Sequence, residues 1–83
     1  MSQSAEDEYV RFLSSRLPRL HRAAYLLCGD RHRAEDIVQA TALNLFLKWR
    51  QASAADNVDG YLHRMLVREF LGQRRVRWAR HSS

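Results

Sequence analysis

The stretch "DGYLHRMLVREFLGQRRVRWARH", Asp59 to His81, interleaves cations with aromatic rings. Arginine forks engage phosphate oxygens two at a time and stack on flat rings, and aromatic side chains stack on unpaired bases. At helical spacing Arg64, Arg68 and Arg75 share one face with Arg74 on its flank, and Trp78 stands among Arg74, Arg75, Arg77 and Arg80. This pattern suits noncovalent capture of a polyanion. Two plainer uses fit the same residues. Trp78 could cover the end of a helical bundle, and a basic amphipathic helix could lie on an anionic membrane. The membrane use conflicts with Leu62, Leu66 and Phe70, which a core needs.

A second stretch, "AEDIVQATALNLFLKW" from Ala34 to Trp49, has more apolar residues than one buried face requires. On a helical wheel Val38, Thr41, Ala42, Leu45, Phe46 and Trp49 fall together as a core stripe. Asp36, Gln39, Ala40, Leu43, Leu47 and Arg50 fall opposite. Two leucines beside a carboxylate, an amide and a guanidinium suit docking on another helix surface. The leucines supply burial, about 1.5–3 kcal/mol each when fully covered, and Asp36 and Gln39 supply orientation. Spacing alone equally allows Leu43 and Leu47 to lie beneath helix one or the N-terminal arm.

Covalent chemistry finds little support. His21, His32, His63 and His81 with Cys28 follow neither H-x3-H nor C-x2-C spacing, so no metal site is expected. Glu35 and Asp36 are adjacent and point to different faces of their helix. The sequence contains no glycine-rich phosphate loop, nucleophile elbow or pair of catalytic carboxylates. An enzyme, a cofactor and a small-molecule substrate are therefore not expected.

These residues need elements to position them. The chain has 83 residues, enough for one small domain, with one proline and three glycines. The expected fold is all-α, a compact three-helix bundle whose third helix is extended and basic. Helix one is expected over roughly residues 5–28, its regular part at 9–28 behind a mobile acidic arm at 1–8. Its apolar positions are Tyr9, Phe12, Leu13, Leu17, Leu20, Ala24 and Leu27, and Pro18 predicts a kink or restart. Gly29 should end this helix in a left-handed turn and Asp30 should cap the next, over 31–50. "QASAAD" reads as a loop, Asp56 or Asn57 as a cap, and 57–77 as helix three, with Leu62, Met65, Leu66 and Phe70 inward.

Charge reinforces the first reading. The net charge is +5, yet residues 1–60 balance eight Lys/Arg against eight Asp/Glu. The excess lies after residue 60, where six arginines face only Glu69. Such asymmetry fits a polyanionic partner, although a solvated basic tail has the same composition. The lone Cys28 fits a reducing cytoplasm. The N-terminal "MSQSAEDEY" lacks the marks of a signal peptide, and no apolar run reaches the ~20 residues that span a bilayer.

"AYLLCGDRHRAEDIVQATALNLFLKW" followed by "VDGYLHRMLVREFLGQRRVRW" closely resembles region two of the extracytoplasmic-function (ECF) sigma factors, most of all an actinobacterial subgroup. The resemblance covers about residues 9–80 and rests on ordered features in three helices. It implies a domain that binds the clamp helices of the RNA polymerase β′ subunit and recognises and melts the promoter −10 element. The family's D-x-V-Q helix makes the β′ contact; here it is Asp36, Ile37, Val38, Gln39, which assigns Asp36, Gln39, Ala40, Leu43 and Leu47 to the polymerase. Family members often carry an acid where this chain has Ala40.

The resemblance also implies that the loop before helix three and its first turns hold unpaired bases of the −10 non-template strand. These are Ser53, Asp56, Asn57, Tyr61, Arg64 and Arg68. Relatives commonly have a base-pocket asparagine at the place of Arg68. The segment with Arg74, Arg75, Arg77 and Trp78 would follow the DNA backbone. An anti-sigma factor is a further implied partner. Complete members carry a region four domain that reads the −35 element, and it is expected to be absent from these 83 residues. Two alternatives of other classes stand beside this reading. One is a nonspecific nucleic-acid-coating module, which has no need of the Leu43/Leu47 face. The other is a protein-interaction bundle with a degenerate DNA face, which Arg68 keeps open.

Overall fold

The computed structural model describes the backbone of residues 2–81 and the side chains of residues 2–73. The described residues form helices joined by tight turns: α1 (Gln3–Cys28), α2 (Arg31–Leu47), the short α3 (Trp49–Ser53) and α4 (Val58–His81). The fold is all-α. Central α2 packs against both long helices, and α1 and α4 also meet directly.

α1 begins at Gln3, earlier than the sequence suggested, because Ser2 accepts a hydrogen bond from the Ala5 N–H and so caps the acidic segment as helix. It also runs unbroken through Pro18. Pro18 and Ser14 are both exposed. Water can therefore satisfy the Ser14 carbonyl that the proline deprives of its partner, and the ring displaces no packed neighbour. Gly29 ends α1 at φ 68°, and the Asp30 carboxylate accepts from the N–H groups of His32 and Arg33 to start α2. In the last turn of α1 the core stripe passes from Leu20 and Ala24 to Cys28 rather than to Leu27, which is 38% exposed. A four-residue step from Ala24 keeps Cys28 facing inward, where its thiol donates to the Asp30 carbonyl.

α2 supplies the fully buried Ile37, Thr41 and Leu45. Thr41 is the one buried polar residue among the described side chains, and its hydroxyl donates to the Ile37 carbonyl at 2.7 Å. The expected continuous helix to Arg50 is broken at Lys48. The reason is tertiary: the turn brings Trp49 against Tyr9 and Phe12 of α1, with ring centroids 5.8 and 5.6 Å away. Its indole N–H meets no acceptor among the described residues, so ring packing is what holds it. The Tyr9 hydroxyl donates to the Ala42 carbonyl at 2.7 Å, pinning the start of α1 to α2, and burial raises its pKa. Leu62 and Leu66 of α4 complete the core, while Met65 and Phe70 pack at its edge.

Candidate nucleic-acid and protein interface

The domain presents two exposed surfaces, one on α2 and one along the loop 54–57 and α4. The first is the outer side of α2. Asp36, Gln39 and Arg50 are exposed and Ala40 is half-buried. Leu43 and Leu47 are 60% and 72% exposed, so neither α1 nor its N-terminal turns cover them. Leu45, between them in sequence, is fully buried. The alternative that placed both leucines inside the bundle is therefore excluded. The core does not account for them, and exposed leucines one turn apart between Asp36 and Arg50 leave an apolar strip with polar ends.

The second surface begins at the loop 54–57 and continues along α4. Trp49 and Ala52 of α3 are buried, so the segment that leads into the loop is anchored to the core. Ser53 is exposed and its hydroxyl donates to the Arg50 carbonyl. Asp56 and Asn57 are exposed. The Asn57 side-chain oxygen accepts from the Gly60 N–H at 2.9 Å, a cap at the start of α4. Gly60 makes room for it: a Cβ there would stand 2.9 Å from the Asn57 amide nitrogen.

Beyond the loop, Tyr61 is half-buried against the core and Arg64 and Arg68 are exposed on one side of α4. With His63, Val67, Leu71 and Gly72 they line a shallow, open recess along α4 that combines apolar and cationic side chains. Glu69 turns away from this strip and accepts from the Asn44 amide of α2. The backbone of α4 continues through Arg74, Arg75, Arg77 and Trp78, whose side chains lie outside the described residues. The structure thus brings Ser53, Asp56, Asn57 and the start of α4 to one end of the bundle.

Sequence reasoning missed one arrangement here. Arg16 of α1 lays its guanidinium on the carboxylate of Asp59, in the first turn of α4, with Nε–Oδ1 2.8 Å and Nη2–Oδ2 3.2 Å. That hydrogen bonding, with the added field of Arg16 and then Arg19, holds the Asp59 carboxyl below the ordinary value of 3.8. The same bond raises the Arg16 pKa. No local signal could have revealed the pair, because 43 residues separate its members.

Among the described residues no group of three or more His, Cys, Asp or Glu side chains could hold a metal ion, and no helix is long and apolar enough to cross a membrane. The arrangement offers an exposed apolar strip on α2 and exposed arginines on α4.

Residues 12–80 match the sigma-70 region 2 family. The chain belongs to that family. This region 2 domain is also 32% identical over 75 residues to the ECF RNA polymerase sigma factor SigE of Mycolicibacterium smegmatis. That alignment covers 90% of this chain and 29% of the relative, so the region 2 domain spans under a third of the relative's length. No solved structure matches significantly.

Proposed function

We propose that this region 2 domain serves transcription initiation by docking on the β′ clamp helices of RNA polymerase core and capturing the unpaired −10 non-template strand. The observation that carries the reading is the open leucine strip. Leu43 and Leu47, with Asp36 and Gln39, form a polar-ended apolar face that the domain's own fold does not use. A protein that merely coated nucleic acid would have no need of it.

The second half of the reading rests on the loop and α4. Taking a base out of a stack costs a few kcal/mol. A cationic surface for the phosphates and an apolar recess for a splayed ring offset that cost. Asp56, Asn57 and Tyr61 stand at the loop end of this surface, Arg64 and Arg68 line the recess, and Arg74, Arg75, Arg77 and Trp78 continue it along the backbone. Arg68, where relatives commonly have asparagine, presents a cation at the base recess, so its −10 preference differs from theirs. The protein does no covalent chemistry in this scheme; it binds in the cytoplasm and the polymerase makes the bonds. An anti-sigma factor would compete for the same leucine strip.

A pull-down with a β′ clamp-helix fragment tests the docking half. Wild type should be retained, and Asp36→Ala and Leu43→Asp should be lost with unchanged circular dichroism. Failure of wild type to bind would remove the polymerase reading. Selection from a random single-stranded DNA 12-mer pool tests the other half. A defined enriched sequence, bound more tightly than the starting pool, is the expected result, and uniform binding to all sequences would leave a nonspecific coating module.

A further inference from the structure

The loop 54–57 is short, and the helices on both sides of it are tied to α1, one through its first residue and the other through its first turn. On the side of α3, buried Trp49 packs on Phe12 at 5.6 Å between ring centroids. On the side of α4, Asp59 receives two hydrogen bonds from Arg16. Phe12 and Arg16 are one turn apart on α1, and they touch each other: the Arg16 guanidinium carbon lies 4.1 Å from the centroid of the Phe12 ring. A third nitrogen, Nη1, donates to the Ser15 hydroxyl at 2.6 Å, and that hydroxyl donates to the Phe12 carbonyl. The guanidinium is therefore fixed on its own helix by a ring and a hydroxyl.

This placement is costly to explain as stabilisation. The side chains of Arg16 and Asp59 are 32% and 52% exposed, and ion pairs in that setting are worth about 0–1 kcal/mol to folding. A two-pronged fork has a different virtue: it fixes angle as well as distance. Asp59 is two residues beyond Asn57, and Gly60, next to it, receives the Asn57 cap. Turning or releasing Asp59 would change the direction in which the loop joins α4.

We infer that Arg16 is a positioning residue for nucleic-acid capture: its fork on Asp59, aligned by Phe12 and Ser15, sets the shape in which residues 54–57 meet an unpaired strand. The inference rests on the strand-capture reading above. Arg16 acts through Asp59 and touches no phosphate. Preordering of this kind lowers the entropy lost when the strand binds.

The test measures binding of the 83-residue protein to the DNA 12-mer enriched by wild type and to the unselected pool, across a salt series. Arg16→Ala should lose roughly fivefold to thirtyfold in affinity for the enriched strand, the effect of freezing about one more residue on binding. Its affinity for the pool and its salt slope should stay near wild type. Arg16→Lys keeps the charge without the fork and should fall between. Arg16→Asp and Asp59→Arg should each lose selectivity, and the double exchange should recover most of it. Arg19→Ala, which removes only a more distant charge, serves as the control.

A salt slope reduced by about 0.7 in Arg16→Ala would mean that Arg16 itself holds a phosphate and would overturn the inference. Unchanged selectivity in Arg16→Ala, or no recovery in the double exchange with helicity intact, would overturn it as well. Failure of wild type to enrich any sequence would instead bring down the strand-capture reading, and this inference with it.

Discussion

Leu45 and its neighbours Leu43 and Leu47 are the same residue type on the same helix, yet they occupy opposite environments. Leu45 is wholly covered by packed side chains, together with Ile37 and Thr41, while Leu43 and Leu47 lie mostly in solvent. The inner side of α2 mixes shapes, with Ile37, Val38, Leu45 and nearby Trp49 filling the space between α1 and α4. The outer side repeats one shape at a one-turn interval and flanks it with a carboxylate, an amide and a guanidinium. Shape variety is what a close-packed interior demands. Repetition between polar ends suits a surface that is covered only when a second helix arrives. Apolar content alone does not separate the two sides, but variety and polar company do.

The comparison can be broken by substitutions that treat the two sides alike. Leu45→Ala should show the largest effect, a loss of about 2–5 kcal/mol of stability, read by urea denaturation. A small domain has little margin, so partial unfolding at 25 °C is the expected outcome. Next comes the junction of loop and helix. Asn57→Ala removes the cap on the Gly60 N–H and should cost about 1 kcal/mol. Gly60→Ala should show a loss of the same order by displacing that cap, and full stability in both would show that the cap holds nothing.

Acid should have a smaller effect. Asp59 faces Arg16 and Arg19 of α1, with His63 one turn further along α4 in the same groove. Its carboxyl titrates below 3.8 in the folded state, so its contribution is complete above that value and is lost as pH falls through the folded pKa. For an exposed pair that contribution is about 0.2–1 kcal/mol. Wild type and Asp59→Asn should therefore differ slightly in stability at pH 6 and converge as the pH falls below the folded pKa of Asp59. The smallest change is expected on the outer strip, where Leu43→Ala and Leu47→Ala should leave the midpoint within about 0.5 kcal/mol of wild type. A larger loss there would return the leucines to the core and end the comparison.

Much of this was legible in the sequence because the signals were local. Gly29 and Asp30 carry their turn and cap chemistry with them, and three- and four-residue spacing separated Val38, Thr41 and Leu45 from Leu43 and Leu47, although it left the fully buried Ile37 out of the core stripe. The break at Lys48 was not legible, since "LKWRQAS" contains neither glycine nor proline. It exists because Trp49 must reach Tyr9 and Phe12 of another helix. Pro18 does not end α1: on its solvent-facing side water can serve the Ser14 carbonyl that the proline leaves without a partner. Leu27 faces outward although the apolar series included it, because an apolar pair at a helix end leaves open which of the two faces inward. Of the candidate site, the leucine strip and the arginine side of α4 could be read from periodicity. The Arg16–Asp59 fork and the Asn44–Glu69 contact could not, because they join residues that only the packed bundle brings together.

The central position of α2 also dictates how the domain comes apart. Lifting α4 away leaves the α1–α2 interface intact, with the Tyr9–Ala42 bond and the ring cluster of Tyr9, Phe12, Phe46 and Trp49. Lifting α2 away leaves α1 and α4 only their own smaller contact. Local opening therefore reaches α2 last, and the helix that carries the leucine strip is the most firmly held part of the molecule.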